Sequence, residues 1–204
     1  VVTIDESKNG WRATGLIAIN APMKNVWLTT KDQCQKQQKS TYEIVIDDHG
    51  GGSEDWYGLL ELPWPLKNRH WMIKTMPNMR MAVSSKNTAW ERSWRLVKNG
   101  EAKVNAKRSN GLLPKHAEGA IYTPTNSGAW FTLAVSPETA LLGYQVTTSI
   151  GGAVPDKLMT QFVGTTMDEM LEKMKERTSS IKSHYRNAHP KLYGGDSQPI
   201  EPFK

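Results

Sequence analysis

The feature that most constrains the fold is a long helical pattern over residues 149–185. Gly151 and Gly152 end a strand-like region, and Pro155 stands where its fixed φ and missing N–H are tolerated, in the first turn of a helix. Apolar side chains then recur at helical spacing and form one face. That face consists of Met159, Val163, Thr166, Met167, Met170, Met174 and Ile181.

This methionine-rich face has two interpretations. Most apolar helix faces simply pack in the core. Methionine is also unbranched and polarizable, so it suits a deformable wall over a ligand cavity. The pattern alone does not choose between a packed core helix and a cavity lid.

Upstream of this pattern, apolar and polar residues alternate with the period of a half-buried strand. The connections are turns too short for helical crossovers, so the strands are expected to be antiparallel. Pro22 begins a short helix with Asn20 as the expected cap, and a second short helix is expected over 31–39. The predicted strands cover residues 1–5, 11–20, 42–47, 54–62, 69–76, 90–97, 118–123, 129–135 and 141–149, and a loop covers 108–117. The predicted fold class is α+β, a curved antiparallel sheet covered by the long C-terminal helix.

The composition predicts one soluble domain. The 204 residues are enough for a well-buried core, which we expect over residues 1–185, with a flexible tail over 186–204. No apolar run approaches the roughly 20 residues that span a bilayer, and the net charge of +6 is spread along the chain. Cys34 is the single cysteine, so no intrachain disulfide forms. The compartment stays open between cytoplasm and periplasm, since removal of a leader would leave the same sequence.

Motifs for catalysis, metal binding and cofactor binding are absent from the sequence. His49 precedes three glycines as in an esterase oxyanion loop, but no G-x-S-x-G nucleophile elbow occurs, so the glycines are interpreted as a hairpin turn. The five histidines are scattered, which argues against a metal site, and no cofactor is expected. The eight tryptophans lie mostly in predicted strands with apolar neighbours, so nucleic acid is not an expected partner.

Two predicted strands place arginine beside tryptophan. Alternation puts Arg92 on the same face as Trp94, and it puts Arg69 on the same face as Trp71. If these faces are buried, each arginine must be paired or hold the polar head of a ligand, because an unpaired buried charge is unfavourable. If they point outward, the arginines are solvated. The sequence does not decide which face is inward.

Three segments, in the right order, match a known family pattern. Residues 19–27 contain I-N-A-P followed by V-W, residues 62–69 read L-P-W-P-L-K-N-R, and residues 151–155 read G-G-A-V-P. They resemble the opening segment, the P-(L/V)-x-x-R-D segment and the G-G-x-(I/L/V)-P entry to the last helix in START proteins of the SRPBCC superfamily. The resemblance covers residues 1–185 and implies the helix-grip fold, in which a curved antiparallel sheet wraps around a long C-terminal helix.

The resemblance implies a non-enzymatic lipid-binding or lipid-transfer protein. Its apolar ligand, a lipid, a sterol-like molecule or an isoprenoid, would lie in a cavity between the sheet and the last helix, and a monomer is expected. The loop over 62–68 carries Trp64 between prolines, which suits transient contact with an anionic membrane surface, lidding of the cavity or plugging of the core. The residues expected to contact the ligand are Trp64, Leu66, Arg69, Trp71, Arg92, Trp94, Phe131, Tyr144, Met159, Val163, Thr166, Met167, Met170 and Met174.

Two other functions stay open. An aromatase/cyclase-type enzyme is one, because the same fold serves several functions. Its polar candidates are Arg69, Arg92, Tyr144 and Thr166. A protein-interaction domain with a filled core is the other, and a structure without a cavity of roughly 300 Å³ would favour it.

Overall fold

A computed structural model of the chain describes residues 1–7, 10–31, 41–109, 111, 117–149, 151, 156–185, 192–201 and 203. For residues 6, 7, 41, 108, 109, 156–163 and 165 it describes the backbone only. The second short helix expected over 31–39 falls largely outside the described residues, as do Cys34, Gly152 and Pro155.

The described residues form one sheet of nine strands. The strands are β1 (Val2–Ser7), β2 (Gly10–Ile19), β3 (Thr41–Asp48), β4 (Glu54–Leu60), β5 (Arg69–Pro77), β6 (Ala89–Leu96), β7 (Ile121–Tyr122), β8 (Thr125–Ser136) and β9 (Thr139–Ser149). Their order is β1-β2-β9-β8-β6-β5-β4-β3, with β7 beside β5. All neighbouring strands along this order are antiparallel, as the short connections predict, and only the β5–β7 pair is parallel.

Four helices occur in the described part of the chain. They are α1 (Met23–Thr29), α2 (Met79–Ser84), α3 (Gly100–Ser109) and α4 (Asp156–His184). The long helix α4 confirms the predicted fold class, since a curved antiparallel sheet lies against a long C-terminal helix. The expected Asn20 cap is wrong: Pro22 occupies the N-cap position without a side-chain hydrogen bond. The fixed φ of proline directs the chain into α1 instead.

Helices α1 and α4 cover the concave face of the sheet. Gly15 on β2 lets α4 approach closely, because a β-carbon there would lie 2.6 Å from Leu171 Cδ1 and 2.8 Å from Met167 Sδ. Trp27 and Leu28 of α1 are fully buried. The helix layer is therefore in tight contact with the sheet at β2.

The opposite face of the sheet carries a second, smaller core beneath α3. Tyr57, Leu59 and Met72 pack there with Val104 of α3. Neither α2 nor α3 was evident from the sequence. In α3, Val104 is the only apolar residue larger than alanine, so no helical periodicity results.

Two predicted boundaries between β6 and β8 are wrong. The strand expected over 118–123 is reduced to Ile121–Tyr122, because residues 117–119 form a turn. The loop expected over 108–117 overlaps the end of α3, which continues to Ser109. Both errors lie in sequence without a clear apolar period.

The C-terminal segment, residues 192–203, lies against the domain where it is described. Leu192 is buried in a cluster with Ile181 of α4. The indole Nε1 of Trp27 donates a hydrogen bond to the Tyr193 carbonyl at 2.9 Å. The division of the chain at residue 185 stays a prediction, but these contacts argue against a free segment over 192–201.

Candidate ligand-binding cavity

A cavity of about 170 Å³ lies between the concave face of the sheet, the C-terminal end of α1 and the second half of α4. The cavity is partly open to solvent. Among its lining residues, Glu43 of β3 and Lys173 of α4 are exposed and mark the side that faces solvent. Met170 and Met174 form the α4 wall.

Five aromatic side chains, each from a different strand, line the sheet side of the cavity. They are Trp56, Trp71, Trp94, Trp130 and Tyr144. Two of these rings lie over glycines. A β-carbon at Gly58 would sit 2.3 Å from Trp71 Nε1, and one at Gly128 would sit 2.4 Å from Trp94 Cζ2. Trp94 also stacks on Tyr144 with ring centroids 5.3 Å apart. The glycines therefore allow a layer of aromatic rings against the strands.

Arg92 on β6 is a buried cation in this wall, with a side chain only 5% exposed. Its Nη2 donates a hydrogen bond to the Thr30 carbonyl at 2.6 Å. Its Nη1 lies 3.7 Å from Glu54 Oε2, which makes an ion pair too long for a hydrogen bond. That same oxygen accepts a hydrogen bond from Trp56 Nε1 at 3.0 Å. Among the described residues, the Nε and Nη1 atoms of Arg92 have no hydrogen-bond partner, and an unpaired buried donor costs about 1–3 kcal/mol.

A second buried cation, Lys31 at the end of α1, interacts with Arg92. Lys31 is 2% exposed. Its burial, followed by the positive charge of Arg92, lowers the pKa of Lys31 to about 8, although Glu54 and Asp48 act in the opposite direction. Burial also lowers the pKa of Arg92. Two buried cations thus lie beside the buried carboxylate of Glu54 at this end of the cavity.

Arg92, Trp130 and Tyr144 occupy one row across the sheet. Arg92 pairs with Trp130, and Trp130 pairs with Tyr144. Neighbouring strands lie about 4.8 Å apart, so the two polar residues flank Trp130 at a separation of roughly 10 Å. Burial raises the pKa of the Tyr144 hydroxyl. This hydroxyl therefore stays protonated at neutral pH and can donate a hydrogen bond.

Several predicted ligand contacts come together on this cavity wall. They are Trp71, Arg92, Trp94, Tyr144, Met170 and Met174. Of the other α4 residues, Met167 packs in the core and Thr166 is half-buried outside the cavity lining. The side chains of Met159 and Val163 lie outside the described residues. Contact with a ligand stays a prediction for all of them.

The remaining predicted contacts lie away from the cavity. Trp64 is 92% exposed, and Leu66 of the same loop is half-buried. Phe131 points to the opposite face of the sheet from its neighbour Trp130, and its ring lies over Gly143. Side chains alternate between the two faces of a sheet, so the prediction of Phe131 in place of Trp130 selected the wrong face by one residue.

Arg69 joins two chain segments and does not line the described cavity. Its Nη1 donates to the Lys67 carbonyl and, at 3.4 Å, to the Asn68 carbonyl. Its Nη2 donates to the Gly151 carbonyl at 2.8 Å. These bonds connect the loop over 62–68 to Gly151, shortly before α4, so Arg69 has a positioning role at this junction.

Sequence reasoning missed most of the neutral polar lining. Its members are Thr29, Thr30, Thr75 and Asn126. No motif distinguishes these residues, and their position in the cavity depends on where α1 ends and how β5 and β8 pair. Trp56 and Trp130 lie in predicted strands, and alternation along these strands is the signal that could have selected them as cavity residues.

Other sites suggested by the sequence have a structural explanation. The glycines after His49 form the predicted turn between β3 and β4, and Gly50 N donates to Asp48 Oδ1 at 2.8 Å. Within the part of the chain that the structure describes, no cluster of His, Cys, Asp or Glu could hold a metal ion. None of the described helices combines the length and apolar character needed to cross a bilayer.

Comparisons with known proteins match the fold and not the sequence. Neither protein-family profiles nor curated protein sequences match the chain. Human StAR-related lipid transfer protein 5 aligns with a TM-score of 0.68 and 13% identity over 88% of this chain and 81% of that chain. A STAR-related lipid transfer protein from Xanthomonas axonopodis aligns with a TM-score of 0.61 and 17% identity over 87% of this chain and 92% of that chain. The di-domain ARO/CYC protein BexL aligns with a TM-score of 0.50 and 14% identity over 83% of this chain and 47% of that chain.

The chain therefore has the START-type helix-grip fold, as its three motifs predicted. Lipid-transfer proteins and an ARO/CYC protein share this fold. Because one fold serves several functions, the function has to be argued from the cavity.

Proposed function

We propose that this protein binds an apolar small molecule in the cavity between the sheet and α4, as a lipid-binding or lipid-transfer protein does. The ligand would be a lipid, a sterol-like molecule or an isoprenoid with one polar group. The observation that carries the proposal is an aromatic cavity whose wall contains a buried arginine with unpaired donors. Buried donors are normally paired, so these donors support a ligand acceptor beside Arg92.

The energetics indicate why the polar contact matters. About 200 Å² of buried apolar ligand surface contributes about 5 kcal/mol. Association costs at least about 4 kcal/mol, so apolar contact alone gives weak binding. A ligand oxygen that pairs with Arg92 adds a charge-assisted hydrogen bond and removes the penalty of unpaired donors.

The substitution Met170→Arg tests this function. Met170 lines the cavity, and arginine keeps the helix propensity of α4 while it brings a charge against the apolar ligand. After incubation with vesicles of mixed lipids and sterol, the wild-type protein should be re-isolated with a stoichiometric apolar ligand, detected by native mass spectrometry. The variant should lose this ligand and keep its circular dichroism spectrum.

Met79→Arg is the matched control, since Met79 of α2 is exposed and away from the cavity. This control should retain the ligand. If Met170→Arg retains the ligand, α4 is not part of the binding site. A wild-type protein that is re-isolated without any ligand would contradict the proposed function.

An aromatase/cyclase-type enzyme is the second candidate, and the BexL likeness favours it. Of its four polar candidates, Arg92 and Tyr144 line the cavity, whereas Arg69 and Thr166 do not. These two donors could stabilise an enolate but include no general base at neutral pH. Turnover of a poly-β-keto substrate that is lost in Tyr144→Phe would favour the enzyme.

The third candidate, a protein-interaction domain, is favoured by volume alone. The cavity of about 170 Å³ is smaller than the roughly 300 Å³ at which ligand pockets usually begin. The unpaired donors of Arg92 oppose a filled core. A ligand larger than the cavity requires displacement of the α4 wall, where Met170 and Met174 can repack at low cost.

Transient contact with an anionic membrane surface is part of the proposed function. Trp64 is 92% exposed, and Lys67 follows it in the same loop. An indole ring suits the membrane–water interface, and a lysine nearby adds attraction to anionic lipid. Arg69 connects this loop to the entrance of α4, so loop contact and helix displacement would be coupled.

A further inference from the structure

We propose that the ligand held at this site is a small aromatic acid, with its ring among the tryptophans and its anionic oxygens at Arg92. This inference rests on one part of the proposed function, namely that the cavity binds an apolar small molecule with one polar group, and it assigns a smaller ligand than a lipid. It follows from the size of the cavity, the flat rings on its wall and the excess of positive charge around it.

The volume of the cavity is close to that of one ring. An apolar cavity of about 150 Å³ holds benzene, and the cavity here has a volume of about 170 Å³. A two-chain phospholipid is several times larger and could enter only after the walls separate. A substituted single ring matches this volume, and a larger rigid ligand would extend through the side that faces solvent or displace the walls.

The sheet wall is suited to a planar ring. Trp94 and Tyr144 stack at an interplanar angle of 29°, and the Trp130 ring centroid lies 4.4 Å from that of Tyr144. Offset-stacked and edge-to-face contacts between aromatic rings strengthen binding beyond the burial of apolar area. Met170 and Met174 face this wall and add favourable sulfur–aromatic contacts. A saturated ring of the same size would lack both contributions.

The charges favour an anion. Among the described lining residues, Arg92, Lys173 and Arg177 are cationic and Glu43 is anionic. The nearby buried carboxylate of Glu54 already accepts a hydrogen bond from Trp56. Two nitrogen atoms of Arg92 have no hydrogen-bond partner in the described part of the chain. A ligand carboxylate would supply both the missing acceptor and the missing negative charge.

The position of the donors matches a short ligand. Arg92 and Tyr144 lie in the same row on either side of Trp130. A ring on Trp130 would therefore direct its carboxylate toward Arg92 and an opposite oxygen substituent toward the Tyr144 hydroxyl. This geometry favours an acid group and a small polar or methyl substituent at opposite ends of one ring.

Isothermal titration of the full chain with three probes of the same shape tests the inference. The probes are 4-methylbenzoate, the neutral 4-methylbenzyl alcohol and the saturated trans-4-methylcyclohexanecarboxylate. We expect 4-methylbenzoate to bind at least about tenfold more tightly than the alcohol, since a charged hydrogen bond is worth about 1.5–3 kcal/mol. We expect it to bind severalfold more tightly than the saturated acid, which carries the same charge but lacks the aromatic contacts. Equal affinity for the benzoate and the alcohol, or for the benzoate and the saturated acid, would overturn the inference.

Variants identify the anchor. Arg92→Gln should remove the preference for the acid over the alcohol, while Arg95→Gln should preserve it, because Arg95 is exposed on the opposite face of the same strand. Tyr144→Phe keeps the aromatic ring and the fold, so it provides a second binding measurement if Arg92→Gln does not fold. It should weaken a 4-hydroxybenzoate probe severalfold and leave 4-methylbenzoate unchanged. An acid preference that survives Arg92→Gln, or a 4-hydroxybenzoate affinity unaffected by Tyr144→Phe, would overturn the assigned anchors.

The vesicle experiment separates this inference from the proposed function. If the protein extracts a stoichiometric lipid from vesicles and binds none of the three probes, the small-acid inference fails and the proposed function stands. If it binds 4-methylbenzoate and takes no lipid from the vesicles, the small-acid inference stands and the lipid-binding function fails. If it takes neither lipid nor probe, both fail.

Discussion

At the scale of single residues, Lys31 is the clearest source of pH dependence. Burial, and then Arg92, lowers the pKa of Lys31 from 10.5 to about 8. The unfolded chain therefore holds this proton more tightly than the folded chain does. The free-energy cost of burying the charged Lys31 is fully present below pH 8 and disappears as the pH rises toward 10.5. This residue therefore makes the free energy of unfolding increase with pH in that window.

We therefore expect Lys31→Met to stabilise the protein at pH 7, by on the order of 2 kcal/mol. The gain should decline between about pH 8 and 10.5, which urea unfolding of both proteins across this range measures. Lys103→Met is the control, because Lys103 is exposed on α3. If the stability gained by Lys31→Met does not change with pH, removal of the buried charge is not the cause of the gain.

Arg69 and Arg92 show how far a single residue can be interpreted from sequence. Both stand beside tryptophan on an alternating strand, and the same ligand role was predicted for both. In the fold, Arg69 donates to backbone carbonyls on two segments, whereas Arg92 lines the cavity with unpaired donors. The difference arises from what lies opposite each side chain, which no local pattern encodes.

At the scale of the elements, glycines on neighbouring strands hold the aromatic wall in place. Gly58→Ala would put a β-carbon 2.3 Å from Trp71 Nε1 and so move the Trp71 ring toward the cavity. A ligand could then bind only if the Trp71 ring moved back against the new β-carbon, and this overpacking would cost about 1–3 kcal/mol. We expect ligand affinity to fall about 5- to 150-fold, measured by calorimetric titration.

Gly143→Ala provides the matched comparison for this prediction. Its β-carbon would lie 1.9 Å from Phe131 Cζ, on the sheet face opposite the cavity. It should lower the melting temperature and leave ligand affinity unchanged. Equal loss of affinity in both variants would mean that general strain, and not cavity occupancy, reduces binding.

The C-terminal segment, residues 192–203, supports α1 through Trp27 and Trp90. Gly195→Val would place side-chain atoms within 2.5 Å of Trp90 Cγ and displace the segment, leaving Trp27 Nε1 without its Tyr193 acceptor. An unpaired buried donor costs about 1–3 kcal/mol. The melting temperature should therefore fall by about 2–12 °C, at the 2–4 °C per kcal/mol typical of this chain length.

Glu201→Ala controls for substitution in the same segment, since Glu201 is exposed and its backbone carbonyl, not its side chain, accepts the hydrogen bond from Lys24. Its melting temperature should equal that of the wild type. If Gly195→Val also melts at the wild-type temperature, the segment is free in solution, as its sequence predicted.

At the scale of the whole molecule, net charge and one exposed ring should act together at a membrane. The chain has a net charge of +6, and attraction at distances beyond about 10 Å is screened at 0.1 M salt. Binding to vesicles that contain anionic lipid should therefore weaken with salt. Trp64→Ala should reduce binding about tenfold at every salt concentration, because insertion of an indole ring depends on apolar burial and not on charge.

Sedimentation of the protein with vesicles measures this binding. Val83→Ala, which alters an exposed apolar side chain on α2, should bind as the wild type does. Wild-type binding by Trp64→Ala would exclude the loop as the contact site.

The sequence by itself determined the class and order of the major elements. Period-two alternation and short turns specify antiparallel strands, and one long 3.6-residue period with Pro155 before it specifies the final helix. These are local properties, since each period reflects which side chains of one element face the core. Weakly periodic elements such as α3, with Val104 as its single large apolar residue, were missed for the same reason.

Only the tertiary structure decided which residues meet in the cavity. In β8, Trp130 faces the cavity and Phe131 faces the opposite side of the sheet. Which of the two faces the cavity depends on the pairing of β8 with β6 and β9. The burial of Arg92 likewise depends on the Thr30 carbonyl, which lies 62 positions away in the chain. Local sequence records the alternation along a strand, but the sheet face that becomes the interior is set by contacts between elements that are distant in sequence.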